Sequence, residues 1–350
     1  MKILFIAHSY LNLYKEIEKE LISQGHDVVT ILDPNICTYA WAKQKLPLRL
    51  RIKKYLAHKN NVFDKYWSNR CKGDAKLNQS YDLLFVIQGL SFSPILLDYL
   101  RIFNPNIRSS LYIWDSNLTL DFFHNIPFFD KIYSFDWYDV QQCSSNKLKF
   151  LPFFWPKEIE NYDNENIIYD ISSIGSSHDG RLQIFKKLNN QFECKSINAK
   201  LQLYIPTQGN LTMKDKIKLL LLKIKGRGNE ELENLLISKG LRYYPFVIHE
   251  LYSPEEMNIM MARSKSILDT DRELQFGTTP RLIWALAANK HIFTTNSKVV
   301  NLPFYNEDYI HIIDRNNPVI DFSLLDVETD DLPRQSIEYL RIDNWIKNFL

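Results

Sequence analysis

The sequence predicts an α/β protein of two units, each a doubly wound parallel sheet. Three observations carry that reading. Short continuous apolar runs recur along the chain, the pattern of strands buried on both faces. Stretches with helical apolar spacing lie between them, which is the alternation of βαβ units. The alternation restarts after residues 151–166, where two prolines and a polar run mark a linker. At 350 residues the chain is long enough for two separate cores.

Residues 2–7 (Lys-Ile-Leu-Phe-Ile-Ala) make the first buried strand. Residues 12–24 follow with Leu13, Ile17, Leu21 and Ile22 at helical spacing, and Gly25 is the natural stop. Residues 27–32 complete a βαβ opening. Further strands are expected at 82–87, 111–114 and 131–135. Beyond the linker come a strand at 168–174, a helix at 181–189 and a strand at 201–205. Residues 211–240 form a long helical region broken near Gly226 and Gly228. Residues 242–246 and 253–262 lead into a strand at 266–270, a polar loop at 271–279, a helix at 280–288 and a strand at 291–295. The last stretch, 335–350, carries Ile337, Leu340, Trp345, Ile346 and Phe349, and predicts an amphipathic helix packing back on the body. The expected domains are 1–150, a linker at 151–166, 167–332, and the terminal segment at 333–350.

Lys and Arg number 43 against 41 Asp and Glu, a net charge of +2. That balance, with no helix-turn-helix, finger or RNA-recognition signature, argues against a nucleic-acid partner. The charge is unevenly spread. From Lys43 to Lys72 there are ten Lys and Arg and one acidic residue, Asp64, interleaved with Leu46, Tyr55, Phe63 and Trp67. Such a stretch fits an anionic membrane surface or a phosphorylated lipid-linked acceptor. The region from Lys214 to Arg227 is similar, although an ordinary amphipathic helix with solvated lysines reads the same way.

Cys37, Cys71, Cys143 and Cys194 are scattered, with no Cys-x-x-Cys pair and no His cluster nearby. They read as reduced thiols rather than a disulfide frame or zinc site. The first apolar run is too short for a signal-peptide core, and no stretch approaches the ~20 apolar residues of a membrane span. The expected location is the cytoplasm, with at most a peripheral contact at the inner face of the cytoplasmic membrane.

The most informative stretch is Gln275-Phe-Gly-Thr-Thr-Pro-Arg281, a loop between an expected strand and helix. The Gly277-Thr278-Thr279 loop, opening a helix, offers free backbone N–H groups and hydroxyls at the positive end of its dipole. Arg281 adds a fixed charge. The loop suits a phosphate or diphosphate. Gly175-Ser-Ser-His-Asp-Gly-Arg181 has the same build: Gly175, Ser176 and Ser177 as a cradle, His178 as a donor, Arg181 as a clamp. An ordinary tight βα turn is the other reading of that second loop.

The Gln-x-Gly-x-Thr-x-Arg pattern at 275–281 resembles the donor-binding motif of GT-B-type glycosyltransferases. It is closer to the variant of bacterial lipopolysaccharide and capsule enzymes related to the spore-coat type. The likeness extends through Trp114-Asp115-Ser116, Phe135-Asp136-x-x-Asp139 and the loop from Ile174 to Arg181. It implies a GT-B architecture, two Rossmann-like domains facing a cleft, with the acceptor on the N-terminal domain and a nucleotide sugar on the C-terminal one. Gly175, Ser176, Ser177, His178, Arg181, Gln275, Gly277, Thr278, Thr279 and Arg281 would then contact the donor. The implied reaction is metal-independent transfer of a sugar to a surface-glycan or lipid-linked acceptor, with no bound cofactor and with domain closure excluding water. Two positions depart from the common motif: Trp284 stands where a glutamate often meets the donor ribose, and Asn289 where a glycine is usual. A ribose contact from this helix is not expected.

Sugar transfer needs a base for the acceptor hydroxyl. Asp115, Asp136 and His8 each follow an expected strand, where ligands of open α/β sheets bind. Asp115 is preferred, as part of the Trp-Asp-Ser stretch. Each has a structural alternative: Asp115 and Asp136 as helix caps or loop supports, His8 as a loop histidine. Asp269-Thr-Asp271 is a literal Asp-x-Asp, but no metal is expected there. Two other functions fit the same fold: a nucleotide-sugar epimerase, and a non-catalytic sugar-nucleotide-binding subunit.

Overall fold

The computed structural model describes residues 1–9, 12–34, 62–118, 122–224, 230–273, 275–327 and 331–350. The chain divides into two units. Unit one is Met1–Pro156, Leu274–Thr278 and Tyr339–Leu350; unit two is Lys157–Glu273 and Thr279–Glu338.

Unit one runs β1 (Lys2–Ala7), α1 (Tyr14–Ser23), β2 (Asp27–Leu32), α2 (Val62–Gly73), β3 (Leu83–Ile87), α3 (Pro94–Phe103), β4 (Arg108–Ile113), β5 (Lys131–Ser134), α4 (Trp137–Gln142) and β6 (Leu148–Phe150). The strands form a parallel six-stranded sheet in the order β2-β1-β3-β4-β5-β6. The apolar runs become strands because both faces are covered. Leu4, Leu84 and Val86 pack with Trp67 of α2 and Leu96, Leu97 and Leu100 of α3. The alternate residues meet the C-terminal segment: Phe349 stacks on Phe85 at 4.6 Å, and Trp345 meets Tyr112 edge-on at 4.8 Å.

That segment is not the single helix expected at 333–350. It is a series of short turns, Leu332–Ser336, Glu338–Leu340, Ile342–Trp345 and Ile346–Asn348. Pro333 restricts the start, and Leu340 and Ile342 leave helical pairing to bond residue 155: Trp155 N donates to Leu340 O and Ile342 N to Trp155 O, both at 3.0 Å. The expected linker is also different at its start. Phe153, Phe154 and Trp155 are buried, and Trp345 Nε1 donates to Pro152 O at 3.0 Å. The division falls after Pro156 because those aromatics belong to the first core.

Unit two runs β7 (Tyr169–Ser176), α5 (Arg181–Lys195), β8 (Ala199–Tyr204), α6 (Met213–Ile224), α7 (Glu230–Ser238), β9 (Val247–Ile248), α8 (Pro254–Ala262), β10 (Ser264–Asp269), α9 (Pro280–Ala287), β11 (His291–Thr294) and β12 (Ile310–Ile312). Its parallel sheet has the order β12-β11-β10-β7-β8-β9. This is the doubly wound order in which direction reverses between the first strand, β7, and the fourth, β10. Ile171, Leu182, Phe185, Leu203, Leu268 and Phe293 share its core. Helix starts follow local chemistry: α8 has a Ser253–Glu256 capping box, and α9 has Thr279 as cap with Pro280 in its first turn. Residues 242–246 are not a strand; the short β9 follows them.

Most of the basic stretch from Lys43 to Lys72 lies outside the described residues. Of its cations Lys65, Arg70 and Lys72 are described, in α2, and Arg70 pairs with Asp74 at 2.9 Å. Among the described residues no helix is long and apolar enough to cross a membrane.

Candidate functional site

Open parallel sheets bind ligands at the carboxyl ends of their strands, where the strand order reverses. In unit two that place lies between β7 and β10. The loop ending at Arg181 follows β7, and the Asp-Thr-Asp stretch follows β10.

The two arginines converge here. A methyl group on Gly175 would lie 2.6 Å from Arg181 Nη1 and 2.9 Å from Arg281 Nη2, so the glycine leaves the room that both guanidinium groups occupy. Arg181 is 5% exposed and bridges the two strand ends, donating to Ser176 O at 2.8 Å and to Thr270 O. Arg281 Nη1 donates to Asp269 Oδ1 at 2.9 Å. Asp269 is fully buried and also accepts from Thr279 Oγ1 at 2.7 Å and Thr294 Oγ1 at 3.1 Å. Thr270 Oγ1 and Arg281 Nε, buried beside this cluster, make no hydrogen bond among the described residues. Buried polar atoms are rarely left so, and a ligand is one reason they are.

The Asp-Thr-Asp carboxylates hold arginines. Asp271 accepts from Arg315 Nη1 and from Thr295 Oγ1, both at 2.6 Å. Burial raises its carboxyl above the usual range, against the pull of Thr295 and Arg315. Arg315 Nη2 also donates to Asp179 O, and Arg272 lies 4.0 Å from the Asp179 carboxylate. Four arginines therefore border the reversal point of unit two, of which sequence reasoning named two.

The amino end of α5 is engaged differently from the expectation. Glu230, the first residue of α7, accepts from Gly180 N at 2.6 Å, Leu182 N at 3.1 Å and Ser177 Oγ at 3.2 Å. A carboxylate already sits where a phosphate was expected to meet those amides, which suits the positive helix end. Ser177 Oγ also lies 2.8 Å from Asn234 Oδ1. His178 Nδ1 lies 3.2 Å from Asp179, and Nε2 3.4 Å from Arg181. Burial pushes the His178 imidazole below its ordinary value.

Gln275, Gly277 and Thr278 belong to unit one, so the expected single loop is shared between the two units. The Phe276 ring stacks on Tyr138 at 4.2 Å, and Phe276 N donates to Asp136 Oδ2 at 3.0 Å. A methyl on Gly277 would lie 2.6 Å from Phe135 O and 2.7 Å from its ring. Thr278 Oγ1 is buried and makes no hydrogen bond among the described residues. Gln275 is half-buried.

Asp136 is fully buried and caps α4, accepting from Tyr138 N at 3.0 Å. Burial raises its carboxyl, against opposing bonds from Phe276, Ser116, Tyr138 and Gly277. These contacts make it a support for the 275–277 loop. Asp139 is 2% exposed and accepts from Asn117 N at 2.7 Å. The two motifs singled out around Trp114 and Phe135 are thus one network.

The other base candidates stand at the carboxyl ends of β1 and β4, on either side of β3. The order of unit one reverses between β1 and β3. Gln88, just after β3, is 1% exposed with φ of 70°, a left-handed conformation uncommon outside glycine. Its Oε1 accepts from Trp114 N at 3.0 Å, and its Nε2 donates to Asp115 Oδ2 at 2.5 Å. Asp115 is half-buried, so its carboxylate is both oriented and reachable. His8 is half-buried and meets Trp114 edge-on at 6.0 Å. Sequence reasoning missed Gln88; the one signal was a Gln-Gly pair directly after a wholly apolar strand.

A separate cavity of about 240 Å³ is lined by Tyr162, Asn258, Ala262, Asn289, Lys290 and Asp331, among others. It lies just ahead of β10 and β11, at the opposite strand ends, so it is not part of this site.

No protein-family model matches the chain, and no curated protein matches it. Solved structures do. An α,α-trehalose-phosphate synthase (UDP-forming) from Burkholderia vietnamiensis superposes with a TM-score of 0.57 at 9% identity, covering 99% of this chain and 95% of the other. AviGT4, a glycosyltransferase involved in avilamycin A biosynthesis, superposes with a TM-score of 0.54 at 9% identity, again covering 99% and 95%. Two six-stranded parallel sheets in one chain are the GT-B-type fold, and the likeness to these structures is one of fold.

Proposed function

We propose that this chain is a glycosyltransferase that moves a sugar from a nucleotide-sugar donor to a hydroxyl acceptor without a divalent metal. The observation that carries the reading is the meeting of Arg181 and Arg281 over Gly175, at the sheet reversal of unit two. Two guanidinium groups on one glycine suit the two negative groups of a diphosphate, each able to donate charge-assisted bonds. Thr270 Oγ1 and Arg281 Nε, buried and unengaged, are further donors for it. The α5 amides are assigned no phosphate, since Glu230 holds them. The fold shared with a UDP-forming synthase and another glycosyltransferase supports the same reading.

The chemistry follows from these groups. The Asp115 carboxylate, oriented by Gln88, takes the acceptor hydroxyl proton. The acceptor oxygen bonds the anomeric carbon as the bond from that carbon to the phosphate oxygen breaks. The nucleoside diphosphate leaves with the electron pair, and the arginines stabilise its growing charge. His8 is the second base in reach of the same strand ends. The acceptor class we favour is a surface glycan or lipid-linked sugar at the cytoplasmic membrane face, a setting that suits the basic stretch from Lys43 to Lys72.

The test is a melting screen against UDP-, GDP-, dTDP- and CMP-sugars, since a ligand of the native state raises the melting temperature. One donor class is expected to bind. Product analysis follows, with and without acceptor. Turnover of donor alone to an isomer means an epimerase, and binding without turnover on any acceptor means a non-catalytic subunit. Failure of every nucleotide sugar to bind overturns the reading.

A further inference from the structure

Helix α6 presents an apolar stripe to solvent. Met213, Ile217, Leu220 and Leu221 follow one another at helical spacing, which puts them on one side. They are 70%, 56%, 60% and 55% exposed, and of the side chains from Met213 to Leu222 only Leu222 is buried. Lys214 and Lys216 flank the stripe and are exposed, while Lys218 turns toward the neighbouring helix and pairs with Glu231 at 2.7 Å. The one acidic residue, Asp215, is paired with Lys239 at 2.9 Å. Lys239 Nζ also donates to Gly209 O at 3.1 Å, tying its own turn to the start of α6. That turn exposes Leu241 at 58% and Tyr243 at 78%.

We infer that α6 is a membrane-surface helix that lies on an anionic bilayer, its stripe among the acyl chains and its lysines on the headgroups. A short amphipathic helix with cations flanking an apolar face is the chemistry of interfacial binding. Charge selects the occupant. A second copy of this face would set lysines against lysines, whereas anionic headgroups complement them. Tyr243, exposed on the adjoining turn, has the apolar body and polar tip that suit a headgroup boundary. The helix adds a contact distinct from the basic stretch from Lys43 to Lys72, and it does not depend on the glycosyl-transfer reading.

The test is co-flotation of the full chain with vesicles, without donor or acceptor. One set is phosphatidylcholine alone, and the other contains about 30% phosphatidylglycerol. Binding is expected to the anionic set only, and to fall as salt rises. A triple change, Ile217→Ser with Leu220→Ser and Leu221→Ser, is expected to reduce it to what the basic stretch from Lys43 to Lys72 supports alone. Lys214→Ser and Lys216→Ser are each expected to weaken partitioning about fivefold, the ratio given by ~1 kcal/mol per lysine. Melting curves confirm that these exposed changes leave the fold intact. A triple variant that floats like the parent overturns the inference, as does a parent that binds neither vesicle set. A parent that forms a dimer broken by the triple change, and ignores vesicles, makes the face a self-association surface instead.

Discussion

Arg181 and Arg281 stand on two different helices, yet each brings a guanidinium nitrogen into the place a Cβ of Gly175 would take. Their surroundings differ. Arg181 is held by backbone oxygens at the ends of β7 and β10, while Arg281 is held by a buried carboxylate, Asp269. Arg181 therefore also braces the sheet, and Arg281 is the better probe of donor binding.

Arg281→Ala is expected to raise the donor KM and lower turnover, by the about 10- to 100-fold that loss of a charged hydrogen bond of ~1.5–3 kcal/mol gives. It also leaves Asp269 buried without its cation, a cost of about 3–5 kcal/mol. Arg281→Lys keeps the charge and loses the fork, so it separates the two effects. Lysine is expected to recover most of the stability and little of the donor affinity. Calorimetric unfolding and donor titration of both variants check this. Full donor affinity in a folded Arg281→Lys protein removes the diphosphate assignment.

Asp115→Asn is expected to keep the fold and the donor affinity, because an amide oxygen still accepts from Gln88 Nε2. Turnover is expected to fall by about 10²- to 10⁴-fold, the usual contribution of a positioned base. His8→Gln is the companion. If it stops transfer and Asp115→Asn does not, the base is the histidine. Gln88→Leu acts through position: it is expected to lower kcat with little change in donor KM, and the measurement is that split.

The expected alternation of strands and helices matched the two sheets because apolar runs and helical spacing are local signals. The phosphate-loop reading was legible only in part. Arg181, Arg281 and Gly175 came from a local Gly/Ser and Gly/Thr pattern, and folding brought them together. Glu230 and Arg315 were invisible because their partners lie far along the chain: Glu230 reaches back 50 residues to Gly180, and Arg315 reaches back 44 to Asp271. Asp136 shows the converse. Its place after a strand was legible, but its burial and its contact with Phe276, 140 positions later, were not. Strand-end position is a local property, whereas burial is not.

Gly277→Ala is expected to destabilise unit one by about 1–3 kcal/mol, the usual cost of overpacking. The added methyl would press on the Phe135 carbonyl and ring at 2.6 and 2.7 Å, and neither is a flexible chain end. The loop is expected to lift from Asp136 and Phe135. Amide hydrogen exchange at Phe276 reads this directly, since its N–H is held by Asp136. Unchanged protection at Phe276 would show that the loop absorbs the methyl without moving.

Three histidines of unit two link its stability to pH with one sign. Burial lowers His178, His291 and His311 below the ordinary histidine value, and the neighbouring His291 lowers His311 further. The His291 and His311 rings stack at 5.3 Å, with Nδ1 and Nε2 3.1 Å apart. As pH falls below about 6.5, the unfolded chain takes up these protons and the folded unit resists them. Unfolding is therefore proton-coupled, and stability is kept above that pH and lost below it. Asp271 of the same unit is shifted the other way, upward, and favours the folded state on acidification, but only near the carboxylate range. Calorimetric scans from about pH 7.5 to about pH 5.5 isolate the histidines, and the melting temperature of unit two is expected to drop across that range. His311→Gln removes one of these depressed groups, so its drop is expected to be shallower. A melting temperature that holds or rises on acidification would mean that these rings take up protons without unfolding.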